Sequence, residues 1–188
     1  MSDAVASPRA LAVMGVSGSG KTTVAELIAA KLGAEMLEGD SLHPPENVAK
    51  MRAGVPLDDA DRWPWLDGIG RVLQTAKSEG RPVVVTCSAL KQVYRQRLLA
   101  ARPDLVFVYL KGSRALFEAR VRARKHEYMP ASLLDSQLAT LEEPGPGEPV
   151  IAVDAALPPQ AEADAAIAAL TRPPAILTPR FACGRLLG

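Results

Sequence analysis

The sequence predicts an α/β fold in which a parallel sheet lies between layers of helix. Two observations predict it: short runs that are apolar at every position, and their alternation with segments whose apolar residues recur at helical spacing. Pro82-Val83-Val84-Val85-Thr86-Cys87 and Leu105-Val106-Phe107-Val108-Tyr109-Leu110 are the most strand-like segments. An antiparallel sheet wet on one face would alternate apolar and polar residues instead. Alternation of strand and helix implies right-handed crossovers.

In chain order, Leu11-Ala12-Val13-Met14 reads as a buried strand that ends in Gly15. From Lys21 to Leu32 the apolar residues Val24, Leu27, Ile28 and Leu32 form a helical stripe. Glu35-Met36-Leu37-Glu38 is a weaker strand, followed by Gly39-Asp40. A helix is expected between Pro44 and Gly54, with prolines at its start and glycine at its stop. Trp65 to Ala76 again has helical spacing, Val150-Ile151-Ala152-Val153 is a last short strand, and Ala161 to Leu170 a last helix. Glu143 to Pro149, rich in proline and glycine, reads as a surface loop.

The 188 residues favour one domain, expected over 1–170, with a tail at 171–188 that has no assigned role. With 22 basic and 21 acidic residues the net charge is +1, so no broad cationic field exists to attract nucleic acid or an anionic membrane. Anions must be held by local constellations. Cys87 and Cys183 cannot build a disulfide framework and lack metal-ligand spacing. The run from Ala10 to Val16 is too short to span a bilayer and lacks the basic start of a signal peptide. A cytoplasmic protein is the expectation.

Gly15-Val16-Ser17-Gly18-Ser19-Gly20-Lys21-Thr22 fits G-x-x-x-x-G-K-[ST] at every fixed position, between a predicted strand and a predicted helix. The glycines let the backbone turn so that successive N–H groups point at phosphate oxygens, and the following helix adds its positive end. Lys21 would reach the β- and γ-phosphates of ATP and Thr22 would offer its hydroxyl to Mg²⁺, with Thr23 completing the nucleotide-facing set. This is a P-loop of the NTPase type. A GTPase would also need Asn-Lys-x-Asp, but the one asparagine, Asn47, precedes Val48-Ala49-Lys50. A mechanical ATPase would close the third strand with a carboxylate, whereas this one runs into Cys87-Ser88-Ala89-Leu90-Lys91. Transfer to a bound alcohol is favoured over hydrolysis.

Asp40, after the second strand, is expected at the carboxyl-end lip beside the P-loop, where open α/β sheets bind ligands. A carboxylate there can orient an attacking hydroxyl or accept its proton. Taken alone, His43 reads as a capping or surface group, and Lys91 and Arg95, flanking Tyr94, as a solvated helix face. Arg114, Arg120, Arg122, Arg124 and Lys125 make a basic stretch on one predicted helix and its end; Arg114 and Arg122 read as solvated, while Arg120 and Arg124, four apart, share a face.

Several blocks resemble the bacterial-type P-loop gluconokinases: Gly39-Asp40-Ser41-Leu42-His43-Pro44, then Asn47, Lys50-Met51, Gly54, Pro56-Leu57, Asp59, Asp61-Arg62 and Pro64-Trp65-Leu66. Cys87-Ser88-Ala89-Leu90-Lys91, Tyr94-Arg95 and Tyr109-Leu110-Lys111-Gly112 do so too, and the likeness runs from about Leu11 to Val153. The resemblance implies a nucleoside-monophosphate-kinase-like fold with a helical acceptor insertion at about 41–76 and a lid at about 124–137. It implies transfer of the γ-phosphoryl group of ATP to the 6-hydroxyl of D-gluconate, and a homodimer. Lys21, Asp40 and Arg124 are the implied catalytic residues, with Asp40 orienting the hydroxyl; His43, Arg62 and Lys91 are implied acceptor contacts. Arg120 and Arg124 would serve the adenine and the phosphates from beside the lid. The chain departs from the family where gluconokinases commonly show Gly-His-Phe before Met-Pro: here stand His126-Glu127-Tyr128. The readings kept beside this one are another small-molecule kinase, of the shikimate or adenylylsulfate type, and a non-catalytic nucleotide switch.

Overall fold

The computed structural model describes residues 10–123 and 131–171. Five strands, β1 (Ala10–Met14), β2 (Glu35–Leu37), β3 (Val83–Thr86), β4 (Leu105–Lys111) and β5 (Val150–Asp154), form one sheet in the order β2-β3-β1-β4-β5. Every pairing is parallel, with Ala10 of the central β1 opposite Val83 on one side and Leu105 on the other. The helices are α1 (Lys21–Leu32), α2 (Pro45–Arg52), α3 (Asp59–Ser78), α4 (Gln92–Ala101), α5 (Arg114–Ala123), α6 (Ala131–Thr140) and α7 (Pro159–Leu170). The expected three-layer α/β fold is present.

The inner strands β3, β1 and β4 are buried on both faces over nearly their whole length, whereas the edge strands β2, which begins with Glu35, and β5, which ends with Asp154, are only partly covered. Ala10, Ala12 and Met14 of β1 face α3 and α4, packing with Trp65, Ile69, Leu73 and Leu98. Leu11 and Val13 face the opposite layer, with Val24 and Ile28 of α1, Phe117 of α5 and Ala163 and Ala166 of α7. Completely burying a Val, Leu or Ile side chain stabilises by about 1.5–3 kcal/mol, and the inner strands contribute such residues to both cores at once.

Expected and observed elements agree closely except in two places. The helix anticipated from Trp65 begins instead at Asp59. Asp58 caps it, accepting from Asp61 N–H at 2.8 Å, while the Asp61 carboxylate accepts from Asp58 N–H at 3.1 Å. Pro64 falls within its second turn, where it removes one backbone donor without ending the helix. The second place is α6, which occupies part of the expected lid region.

Arg95 is not on a solvated helix face. It is fully buried and reaches Glu148 at 2.6 Å, and donates to the carbonyls of Ala89, Leu90 and Glu142. A guanidinium can be buried when a carboxylate and several carbonyls satisfy its donors. This contact draws the expected surface loop's Glu148 inward and ties together the chain after β3 and after α6.

Candidate active site

The P-loop turns from β1 into α1 with Gly15, Gly18 and Gly20 at φ of 146°, 79° and 96°, a region that side-chain-bearing residues rarely adopt. Gly18 is also confined in space, since a Cβ would lie 2.9 Å from the Phe117 carbonyl oxygen. Val16, Ser17 and Ser19 are buried and Thr23 is exposed on the first turn of α1. The Lys21 ammonium donates to Val16 O at 3.1 Å.

Across from the P-loop, a 3-10 turn at Gly39–Leu42 leads from β2 towards α2. Gly39 is required by a close approach: a Cβ would lie 1.9 Å from Thr86 O. Its N–H donates to Thr86 Oγ1 at 3.0 Å and its carbonyl accepts from Trp65 Nε1 at 2.7 Å. Asp40 is thereby held at the lip of the sheet with about half its side chain exposed, 4.0 Å from His43 Nε2. His43 stacks on Trp65, ring centroids 4.2 Å apart and planes at 13°, and its side chain is only 4% exposed. Burial lowers its pKa; Asp40 opposes that shift and the cation of Arg62 adds to it. His43 is therefore a neutral imidazole at neutral pH.

Helix α2 carries no cavity charge of its own but is pinned to the start of α3. Asn47 donates to Asp61 O at 2.7 Å, and Lys50 bonds the Asp61 carboxylate at 2.6 and 2.8 Å. Arg62 follows one residue later, 7% exposed, with Nη2 on Leu57 O at 3.1 Å and its guanidinium 5.7 Å from the Tyr94 ring centroid.

These elements enclose a cavity of about 280 Å³. Its lining includes Ser17, Gly18, Gly20, Lys21 and Thr22 of the P-loop together with Asp40, His43 and Arg62. The cavity thus joins most of the expected nucleotide and acceptor residues. Lys91 is not in its lining. Its ammonium bonds Asp59 at 2.7 and 2.9 Å, next to the Tyr94 hydroxyl, and so braces the first turn of α3. Arg120 lies against the P-loop from outside, donating to Ser19 O at 3.1 Å and Ala155 O at 2.7 Å. Arg124 and the departure at His126-Glu127 lie outside the described residues, as do residues 124–130 of the expected lid and all of the tail after Thr171.

Two contributions escaped sequence reasoning. Glu38 accepts from the Thr22 hydroxyl at 2.7 Å and bonds the Thr86 hydroxyl with its other oxygen, placing a carboxylate beside the P-loop threonine. The carboxylate absent from the end of β3 is thus supplied from the end of β2. Hydroxyl and carboxylate oxygens are the hard donors that Mg²⁺ prefers, so this pair fits the ion. The second is α6, whose Leu133, Ser136 and Gln137 form a further wall. Gln137 Oε1 accepts from Ser17 N–H at 2.6 Å, so an oxygen already sits on one amide of the phosphate cradle.

A P-loop that shares a cavity with the helical segment between β2 and β3, on a five-stranded parallel sheet, is the architecture of a P-loop kinase. The chain matches the AAA domain family over residues 11–144. It is 52% identical over 146 residues to a gluconokinase of Gluconobacter oxydans, covering 78% of this chain and 82% of that protein. To the thermoresistant gluconokinase of Escherichia coli it is 43% identical over 143 residues, covering 76% of this chain and 82% of that one. A solved gluconokinase from Sinorhizobium meliloti superposes with a TM-score of 0.80 at 48% identity, covering 87% of this chain and 92% of that one. The chain belongs to the gluconokinase family.

Proposed function

We propose that this protein transfers the γ-phosphoryl group of ATP to the 6-hydroxyl of D-gluconate, yielding 6-phospho-D-gluconate, with Mg²⁺ as cofactor and D-gluconate as its small-molecule partner. The observation that carries the reading is the shared cavity, which Lys21 and Thr22 line together with Asp40, His43 and Arg62. Family membership supports the same acceptor.

The residues divide the work as follows. The P-loop amides and Lys21 bind the polyphosphate and oppose its charge. Asp40, held by the Gly39 backbone, orients the acceptor hydroxyl and takes its proton. Neutral His43, stacked on Trp65, is a hydrogen-bonding wall that adds no charge next to Asp40. Thr22 and Glu38 would hold Mg²⁺, which when bound supplies positive charge to the phosphate oxygens. Lys91 acts through Asp59, as a positioning residue for α3. Arg120 supports the P-loop backbone, and Arg124 is assigned to the phosphates from the lid. Catalysis comes from positioning and charge neutralisation.

The homodimer and a cytoplasmic setting belong to this proposal. Among the described residues no helix is long and apolar enough to cross a membrane.

The test is an acceptor panel in a coupled ADP assay, with D-gluconate beside shikimate, adenylylsulfate and a no-acceptor control. Gluconate-dependent ADP release is expected. Release unaffected by any acceptor, or nucleotide binding with no release at all, would reject the kinase assignment. Asp40→Asn should lower kcat by about 10²- to 10⁴-fold with little change in ATP affinity. The opposite pattern, weak ATP binding with normal kcat, would move Asp40 to the nucleotide side.

A further inference from the structure

Glu162, in the first turn of α7, is the one acidic residue buried among the described residues, only 1% exposed. The buried arginines Arg95 and Arg102 each bond a carboxylate closely, at 2.6 and 2.7 Å. Glu162 is arranged differently. Its Oε2 is buried with no hydrogen-bond partner, and its Oε1 lies 3.9 Å from Arg120 Nη2, too far for a hydrogen bond. A carboxylate taken out of water without hydrogen bonds costs stability, and an apolar side chain would pack there at no such cost. What the residue contributes is negative charge beside one cation.

Arg120 is where that charge acts. Its Nη1 donates to Ser19 O at 3.1 Å and its Nη2 to Ala155 O at 2.7 Å, so the guanidinium spans from the P-loop to the turn after β5. In a trans peptide the carbonyl of one residue and the N–H of the next point in opposite directions. Anchoring Ser19 O on Arg120 therefore turns Gly20 N–H away from that arginine, and Gly20 lines the cavity. We infer that Glu162 is a positioning residue for nucleotide binding: its carboxylate, fixed in α7, holds Arg120 across the Ser19 and Ala155 carbonyls and so keeps the P-loop turn set for phosphate. The inference rests on the kinase reading above and adds a residue that acts on ATP through Arg120.

The hold depends on ionisation. Burial pushes the Glu162 carboxyl up to about 7; Arg120 opposes that shift and Asp154 at the end of β5 adds to it. The other charged groups on the surrounding elements are engaged elsewhere or exposed. Lys31 of α1 pairs with Asp164 of α7 at 2.8 Å, Lys21 donates to Val16 O, and Glu26 is exposed. Lys111 of β4 pairs with Glu143, while Arg114 and Arg122 of α5 pair with Glu118. Arg120 thus loses its counter-charge as pH falls through neutrality.

The experiment titrates a non-hydrolysable ATP analogue with Mg²⁺ into wild type and Glu162→Gln by calorimetry, at about pH 6 and about pH 8. Comparing the two proteins at each pH removes the protonation of the analogue and of His43 from the result. At the higher pH wild type should bind about fivefold more tightly, the scale of one charge pair, and at the lower pH the two should agree within about twofold. In an Arg120→Gln background the Glu162 substitution should change binding by less than about twofold, because its route is gone. Stability runs the other way. The folded protein binds the Glu162 proton more readily than the unfolded chain, so the associated stability is complete below the ordinary value of 4.5 and is lost as pH rises through about 7. Relative to Glu162→Gln, wild type should therefore melt higher at the lower pH while its affinity advantage disappears. A carboxylate with a purely structural role would shift the melting temperatures and leave the affinity ratio the same at both pH values, and that result overturns the inference. If Glu162→Gln does not fold, Glu162→Met, of similar length and suited to a buried site, is held to the same expectations; failure of both to fold would mark Glu162 as structural and overturn it too. An analogue that binds wild type at neither pH would bring down the kinase reading as well, whereas binding with a pH-independent ratio defeats the role of Glu162 alone.

Discussion

Gln137 offers the sharpest test of how the P-loop is kept before nucleotide arrives. Its Oε1 accepts from Ser17 N–H at 2.6 Å, on the loop that is to receive phosphate oxygens. The helix is anchored just beyond this point: Glu142 N–H donates to Leu90 O at 2.9 Å and the Glu142 carboxylate accepts from Gln92 N–H at 2.7 Å. Gln137 is therefore held over the loop, and a phosphate oxygen that takes the Ser17 amide must first displace it. A neutral hydrogen bond of this kind contributes about 0.5–1.5 kcal/mol net. At about 1.4 kcal/mol per tenfold, Gln137→Ala should tighten the binding of a non-hydrolysable ATP analogue by about 2- to 12-fold. Gln137→Glu should act in the opposite sense, because a carboxylate holds the amide more firmly and repels the incoming phosphates. Isothermal titration calorimetry of the three proteins measures this directly. Weaker binding in Gln137→Ala would refute the reasoning, since it would mean that the side chain contacts nucleotide rather than competing with it.

Two further outcomes are expected. Gly39→Ala, with its Cβ 1.9 Å from Thr86 O, must push the backbone aside and carry Asp40 with it; a loss of about 3 kcal/mol, or about 6–12 °C in calorimetric midpoint, should accompany a collapse of kcat, and a shift under about 2 °C would show that the strand ends are looser than the structure indicates. The lowered pKa of His43 means that the folded protein binds its proton less readily than the unfolded chain, so the associated stability is present above the ordinary value of 6.5 and is lost as pH falls through the lower folded value; thermal midpoints should drop on the acid side in wild type and less steeply in His43→Gln, and parallel curves would remove His43 as the cause.

The fold was legible because its inner strands are buried on both sides, which leaves an unbroken apolar signature in Val83–Val85 and Leu105–Leu110. The start of α3 was not, since Asp58 to Pro64 is charged and ends in a proline; the readable signal was the acid pair Asp58 and Asp61 at capping-box spacing. That Lys21, Thr22 and Asp40 line one cavity was legible because their placement depends on local spacing around glycines. Arg95 was misread, since its burial depends on Glu148, 53 residues away. Gln137 was missed for a similar reason: its partner Ser17 is 120 residues away, and no local pattern announces that contact.

Glu38-Gly39-Asp40 shows why the two halves of the site are not independent. Glu38 is bonded to Thr22 at the head of α1 and to Thr86 at the end of β3. Gly39 is locked between Thr86 and Trp65, and Trp65 in turn carries His43 on its face. Asp40 has little freedom of its own: its backbone position follows from Gly39, and its imidazole neighbour follows from Trp65. Whatever binds Thr22 must share or displace the Glu38 carboxylate, one residue from the glycine that sets Asp40. In the proposed reaction the phosphate-binding and acceptor-binding sides therefore meet in three consecutive residues, and a ligand at Thr22 would alter the electrostatic setting of Asp40.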